Sequence, residues 1–98
     1  MSWPIKLIKI KGHSMQPTIQ DGRLILVNQW AYIFKKPRIR DIAVFRKDNK
    51  LFCKRITAVH TDGYCTMLGD NESDSLDSRE LGKIRFDSIL GKACVKER

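Results

Sequence analysis

A chain of 98 residues, 42% hydrophobic and 31% charged, makes one domain close to the size at which a single apolar core becomes marginal. That balance excludes a disordered chain, and no low-complexity tract or internal repeat suggests a solenoid. The +8 net charge is uneven, with 13 Lys+Arg against 3 Asp+Glu in residues 1–60 and 6 against 8 in residues 61–98, so a basic patch is expected in the first part. It reads first as a solvated face that keeps a small protein soluble, since no nucleic-acid motif accompanies it. The longest apolar runs, such as residues 30–34, are far short of the roughly 18 residues a membrane span needs, so no transmembrane anchor is expected. Residues 1–7 lack the pattern of a secretion signal, and a cytoplasmic location is the default expectation. Cys53, Cys65 and Cys94 are odd in number and form no closely spaced pair. They read as buried free thiols, and neither a metal site nor any other cofactor is expected.

In chain order, residues 5–11 alternate in part and open the series of strands, and residues 23–27 are a short β-rich run. Residues 28–34 leave room for a helical turn. Strands are then expected over 41–46, 51–59 (the longest), 64–68 and 89–95. Turn formers separate them at Asp21-Gly22, Asp48-Asn49, Asp62-Gly63 and Gly69-Asp70-Asn71. This spacing predicts an all-β fold, a small barrel or coiled sheet, with residues 1–98 as a single domain.

Two residues carry chemistry when read together. Ser14 lies in Gly12-His13-Ser14-Met15-Gln16-Pro17-Thr18, where Pro17 biases Gln16 away from helix and places Ser14 at a strand end. A hydroxyl there can face a cleft, with nearby backbone N–H groups available to an oxyanion. Lys54 follows forty residues later within an apolar strand, where alternation puts Phe52, Lys54 and Ile56 on one face. To serve as a base near neutral pH its pKa must drop from about 10.4 to about 7, or about 4 kcal/mol against the charged form, which burial can supply. His13 points away from Ser14 in an extended chain, and His60 near Asp62 reads as a solvated turn, so both are set aside. In the segment Gly69 to Arg79, Asp77 and Arg79 suit an ion pair, and a serine hydroxyl can orient a neutral lysine amine.

These three segments, in this order, resemble the signature boxes of the type I signal peptidase family of Ser/Lys proteases. The resemblance implies that Ser14 is the nucleophile, Lys54 the general base and Ser75 the hydroxyl that orients Lys54. It implies further that Gly12 lies in the oxyanion-hole region, that Met15 and Pro17 form the substrate-cleft turn, and that Asp77 and Arg79 are a structural ion pair. It also implies a coiled-sheet catalytic core shared with the LexA-type self-cleaving repressors. Where many members carry a serine two residues before the nucleophile, this chain has Gly12.

Within the family, the Gly-His-Ser-Met, Lys-Arg, Leu-Gly-Asp-Asn and Asp-Ser-Arg segments are similar to those of the nickel-type superoxide dismutase maturation proteases. The expected function is therefore a serine endopeptidase that binds a precursor protein as an extended peptide and removes its N-terminal extension, here the propeptide of a nickel superoxide dismutase. Two other readings stand beside it. One is a signal peptidase core acting on secretory preproteins at a membrane, with Trp3, Trp30 and Phe34 touching the bilayer; the other is a non-catalytic basic β-domain binding nucleic acid. Nucleic acid is the disfavoured partner, because it accounts for the charge but not for Ser14, Lys54 and Ser75. The oligomeric state stays open.

Overall fold

The computed structural model describes residues 4–33, 35–71 and 82–95. Among them, seven strands form one antiparallel sheet: β1 (Ile5–Lys9), β2 (Leu24–Asn28), β3 (Ile42–Lys47), β4 (Lys50–Val59), β5 (Tyr64–Leu68), β6 (Ile84–Arg85) and β7 (Ile89–Cys94). Their spatial order is β1-β2-β7-β3-β4-β5-β6, so the sheet is coiled and open rather than a closed barrel. The expected all-β class holds. Among the described residues no helix is long and apolar enough to cross a membrane.

β3 is the strand on which the others depend. Its run Ile42-Ala43-Val44-Phe45 is buried throughout, because the coiled sheet packs both of its faces. Ile42 and Val44 join Ile10, Met15, Ile19, Ile25, Val27, Cys53 and Ala93 on one side. Ala43 and Phe45 join Ile56, Cys65, Met67 and Ile84 on the other. Alternation sends successive side chains of β3 into two separate cores. The β3–β4 hairpin turns on Asp48 and Asn49, whose φ values of 53° and 64° are those of the two-residue turn that matches strand twist. The hairpin sets the register Val44↔Cys53, Ala43↔Lys54 and Phe45↔Phe52, and the two phenyl rings stack at 5.4 Å between centroids.

Curl comes from irregularities in pairing. The register shifts between Val44 and Phe45 against β7, and between Ile56 and Ala58 against β5. Such bulges sharpen the local twist. Gly91 allows a close approach to β2: a Cβ there would stand 2.5 Å from the Asn28 carbonyl oxygen and 2.8 Å from Val27 Cγ1.

The strand expectations correspond to six of the seven strands. The short β6 and the 3₁₀ turn Phe86–Ser88 were not anticipated. The helical turn expected over 28–34 is not found: residues 29–33 are a series of turns, in which the Asn28 side chain accepts the Trp30 N–H at 2.9 Å. Cys53 and Cys65 are buried as expected. Cys94, expected to be buried, is exposed, because it takes the outward position near the end of β7 while its neighbour Ala93 points into the core.

Gly91→Ala should lower stability by about 1–3 kcal/mol through overpacking against β2. At roughly 4–8 °C per kcal/mol for a domain of this size, a thermal melt resolves this easily, and an unchanged melting temperature would refute the close approach.

Candidate active site

The Ser14 segment is set by β1 and by a buried turn. Beyond β1 the chain stays paired, with the Ile10 N–H donating to Arg23 O at 2.9 Å and the Gly22 N–H to Ile10 O at 2.7 Å. It then reverses at Gly12, whose φ of 91° lies where L side chains are strained and whose N–H donates to Asp21 Oδ1 at 2.8 Å. That conformation gives a physical reason for glycine here: Ser at this position would be strained. Met15 and Ile19, 1% and 0% exposed, sink into the first core, and the Ile19 N–H closes the turn on Met15 O at 2.9 Å. Met15 therefore anchors the turn from below, while Pro17 is exposed on its outside.

Lys54 is placed by the β3–β4 ladder. It is 3% exposed and stands opposite Ala43, the smallest apolar partner available, so its four-carbon stem has room on that face. Among the described residues no buried side-chain nitrogen or oxygen lacks a hydrogen-bond partner. Ser14 and Lys54 line one cleft of about 350 Å³, whose walls are Ile8 to Lys11 on one side and Leu51 to Lys54 on the other, with Val44 between them. The two sequence-predicted residues are thus brought to a common space.

What holds them there was not read from the sequence. Arg55, beside Lys54, donates Nε to Asp70 Oδ1 and Nη2 to Asp70 Oδ2, both at 2.8 Å, and Nη1 to Arg40 O at 2.8 Å. The Thr18 hydroxyl donates to the same carboxylate. Next to Asp70, the Asn71 N–H donates to Ser14 O at 2.8 Å, and its side-chain amide donates to His13 O at 3.0 Å. Asp70 and Asn71 therefore tie the Ser14 turn to β4. The adjacency of Lys54 to Arg55 and the Gly-Asp-Asn run were the visible signals; the pairing between them was not. Hydrogen bonding from Arg55 holds the Asp70 carboxyl below its usual value of 3.8, opposed by burial and helped by Thr18.

Cys53 also lines the cleft, but burial pushes its thiol up to about 12, with the Lys54 charge pulling the other way and Asp70 adding to the rise. At neutral pH it is a thiol rather than a thiolate, and so a poor nucleophile. His13 is exposed, and His60 is half-buried with Nε2 at 2.9 Å from Thr66 Oγ1, so neither joins the cleft. Ser75, Asp77 and Arg79 lie outside the described residues.

The all-β sheet thus carries a serine on a turn and a buried lysine along one cleft. The family model for signal peptidase, peptidase S26, matches residues 2–63, and the chain belongs to that family. It is 24% identical over 136 aligned positions to thylakoidal processing peptidase 1, chloroplastic, of Arabidopsis thaliana, covering 89% of this chain and 40% of that protein. With mitochondrial inner membrane protease subunit 2 of Saccharomyces cerevisiae it shares 26% identity over 116 positions, covering 91% of this chain and 66% of that one. A shorter stretch of 49 positions is 41% identical to signal peptidase I V of Bacillus subtilis, covering 49% of this chain and 29% of that protein. The chain thus spans less than two thirds of the length of each of these three relatives.

Asp70→Asn should cost about 1.5–3 kcal/mol at neutral pH, the scale of a hydrogen bond to a charged group. Because the folded-state pKa of Asp70 is depressed, its contribution is present above the unfolded value of 3.8 and is lost as pH falls through the lower folded value. Urea unfolding across pH should show the gap between wild type and Asp70→Asn closing in acid; a gap that stays constant would exclude the carboxylate as its source. Brief treatment with iodoacetamide at neutral pH should label Cys94 and spare Cys53 and Cys65, whose thiols burial raises to about 12 and about 11. Peptide mass spectrometry reads this directly.

Proposed function

We propose that the chain is a serine endopeptidase in which Ser14 attacks the scissile carbonyl and Lys54 takes and returns the proton. The observation that carries this reading is the shared cleft: it brings an accessible serine on a tight turn and a 3% exposed lysine to one apolar-walled space. Burial strips hydration from an ammonium and so favours the neutral amine, the form a general base requires. Among the described residues β1 pairs with β2 on one side only, and its other edge is where an extended peptide would lie along the cleft wall. Ser14 then forms an acyl bond to the peptide, the departing amine takes the proton from Lys54, and water releases the acyl group. With Gly12 in place of a serine, the oxyanion relies on backbone N–H groups around Ser14. Ser75 is assigned to orient Lys54, and Asp77 with Arg79 to brace the segment that carries it.

The substrate we propose is a precursor protein that loses its N-terminal extension. The ordered Gly-His-Ser-Met, Lys-Arg, Leu-Gly-Asp-Asn and Asp-Ser-Arg segments favour the propeptide of a nickel superoxide dismutase, with the protease working in the cytoplasm. A second reading, action on leader sequences at a membrane, is favoured by the relatives named as thylakoidal and mitochondrial inner membrane enzymes.

Wild type, Ser14→Ala and Lys54→Ala should each be mixed with a nickel superoxide dismutase precursor and with a secretory preprotein, and the new N-termini read by mass spectrometry. Cleavage of the first precursor by wild type alone, with both variants at least about 10³-fold slower and still folded, is expected. Near-full activity of Lys54→Ala would overturn the dyad. Cleavage of the preprotein alone would transfer the function to the second reading.

A further inference from the structure

The two walls of the Ser14 cleft differ in charge. On the β4 side Leu51, Phe52 and Cys53 carry none, and Lys54 beyond them is 3% exposed. On the β1 side Lys9 and Lys11 line the cleft, and both are exposed. Among the described residues no aspartate or glutamate lines it, and neither lysine forms an ion pair. The three carboxylates of residues 1–60 are placed elsewhere. Asp21 accepts the Gly12 N–H at 2.8 Å, Asp41 accepts the Tyr32 hydroxyl at 2.8 Å and lies 3.5 Å from Lys92 Nζ, and Asp48 sits in the β3–β4 turn.

Alternation gives the two lysines one side of the chain. Ile8 and Ile10 pack into the first core, whereas Lys9 and Lys11 are left to solvent. The bonds of Ile10 with Arg23 and Gly22 keep this stretch paired past the end of β1. Lys9 and Lys11 are therefore about 7 Å apart along the chain, the spacing of alternate residues in any extended peptide. A peptide lying along this edge would send every second side chain toward the apolar floor of Ile8, Ile10 and Val44, and the ones between toward the lysines.

We propose that the cleft selects peptides carrying aspartate or glutamate beside Lys9 or Lys11, at one or both of two positions spaced by two. The inference rests on the peptidase reading above and adds a charge requirement to it. Backbone pairing along an edge is indifferent to sequence, so the alternating side chains carry the selection. Opposite charges on facing strands attract and like charges repel, so a lysine or arginine at the same position is disfavoured. Because both lysines are exposed, salt screens the preference.

The test gives the full chain a pool of short peptides of randomised sequence and reads the cleaved bonds by mass spectrometry. With wild type, acidic residues should be enriched about two- to fivefold at a fixed distance from the cleaved bond, and less so in high salt. Lys9→Glu with Lys11→Glu should reverse the enrichment to lysine and arginine. Lys35→Glu with Lys36→Glu makes the same change of net charge outside the cleft and should keep the wild-type preference. Cleavage without charge preference, a preference that survives the Lys9 and Lys11 reversal, or one lost equally in the Lys35 and Lys36 variant would each overturn the proposal while leaving the peptidase reading intact. A second readout is independent of cleavage: peptides retained by immobilised Ser14→Ala chain should show the same acidic enrichment, lost on the Lys9 and Lys11 reversal. If wild type cut no peptide, the peptidase reading would fall, and equal retention of acidic and basic peptides would overturn the charge preference as well.

Discussion

The ion pair between Arg55 and Asp70 is the constraint on which the candidate site rests. A planar guanidinium meets a carboxylate on two parallel bonds, a geometry that fixes direction as well as distance. Its third bond, to Arg40 O, and the Thr18 hydroxyl on Asp70 extend the knot to two more segments. The partners' side chains are 21% and 17% exposed, so solvent screens the pair only in part. Arg55 follows Lys54 directly in β4 but is not among the residues that line the cleft. The clamp can therefore set the position of the lysine strand without filling the cleft. Asn71 completes the link, since its N–H and side-chain amide hold the carbonyls of Ser14 and His13.

Against that clamp the sheet supplies the counter-wall. A strand buried on both faces needs small and large residues in the right places, and β3 has them: Phe45 stacks on Phe52, while Ala43 stands across from Lys54. A larger residue at position 43 would compete with the lysine stem for the same volume. The bulges opposite β7 and β5 then bend the sheet, so that β4 and the end of β1 become two walls of one cleft. A flat sheet of the same order would leave β1 and β4 separated by three strands.

Much of the fold was legible in the sequence because strands and turns announce themselves locally. Asp48-Asn49 between two apolar runs marks a hairpin, and its observed φ values are those such a turn requires. Ile84–Arg85 was not legible, since two residues cannot show alternation and their pairing with β5 is a tertiary contact. Residues 28–33 offered an apolar run of ambiguous period, and the Asn28 side chain decided for turns by capturing the Trp30 N–H. At the site, Ser14 and Lys54 could be nominated from residue type and context. Arg55 with Asp70 could not, because a lysine-arginine pair and a Gly-Asp-Asn turn each have ordinary local explanations. Cys94 was misread for a related reason: residue type favours burial, but its position on β7 faces outward.

Solvation then separates the groups that share the cleft. Cys53 and Lys54 are consecutive and both buried, yet lack of water acts on their chemistry in opposite senses. Desolvation favours the neutral form of either group. For a thiol the neutral form is the unreactive one, and Cys53, held up to about 12, is disarmed. For an amine the neutral form is the one able to accept a proton. In the proposed mechanism Ser14 needs no ionisation of its own before attack, only a nearby acceptor, and it sits half-exposed on its turn. On that proposal burial disfavours Cys53 as a nucleophile, which is why the serine, rather than the cysteine beside the lysine, is the group we assign to attack.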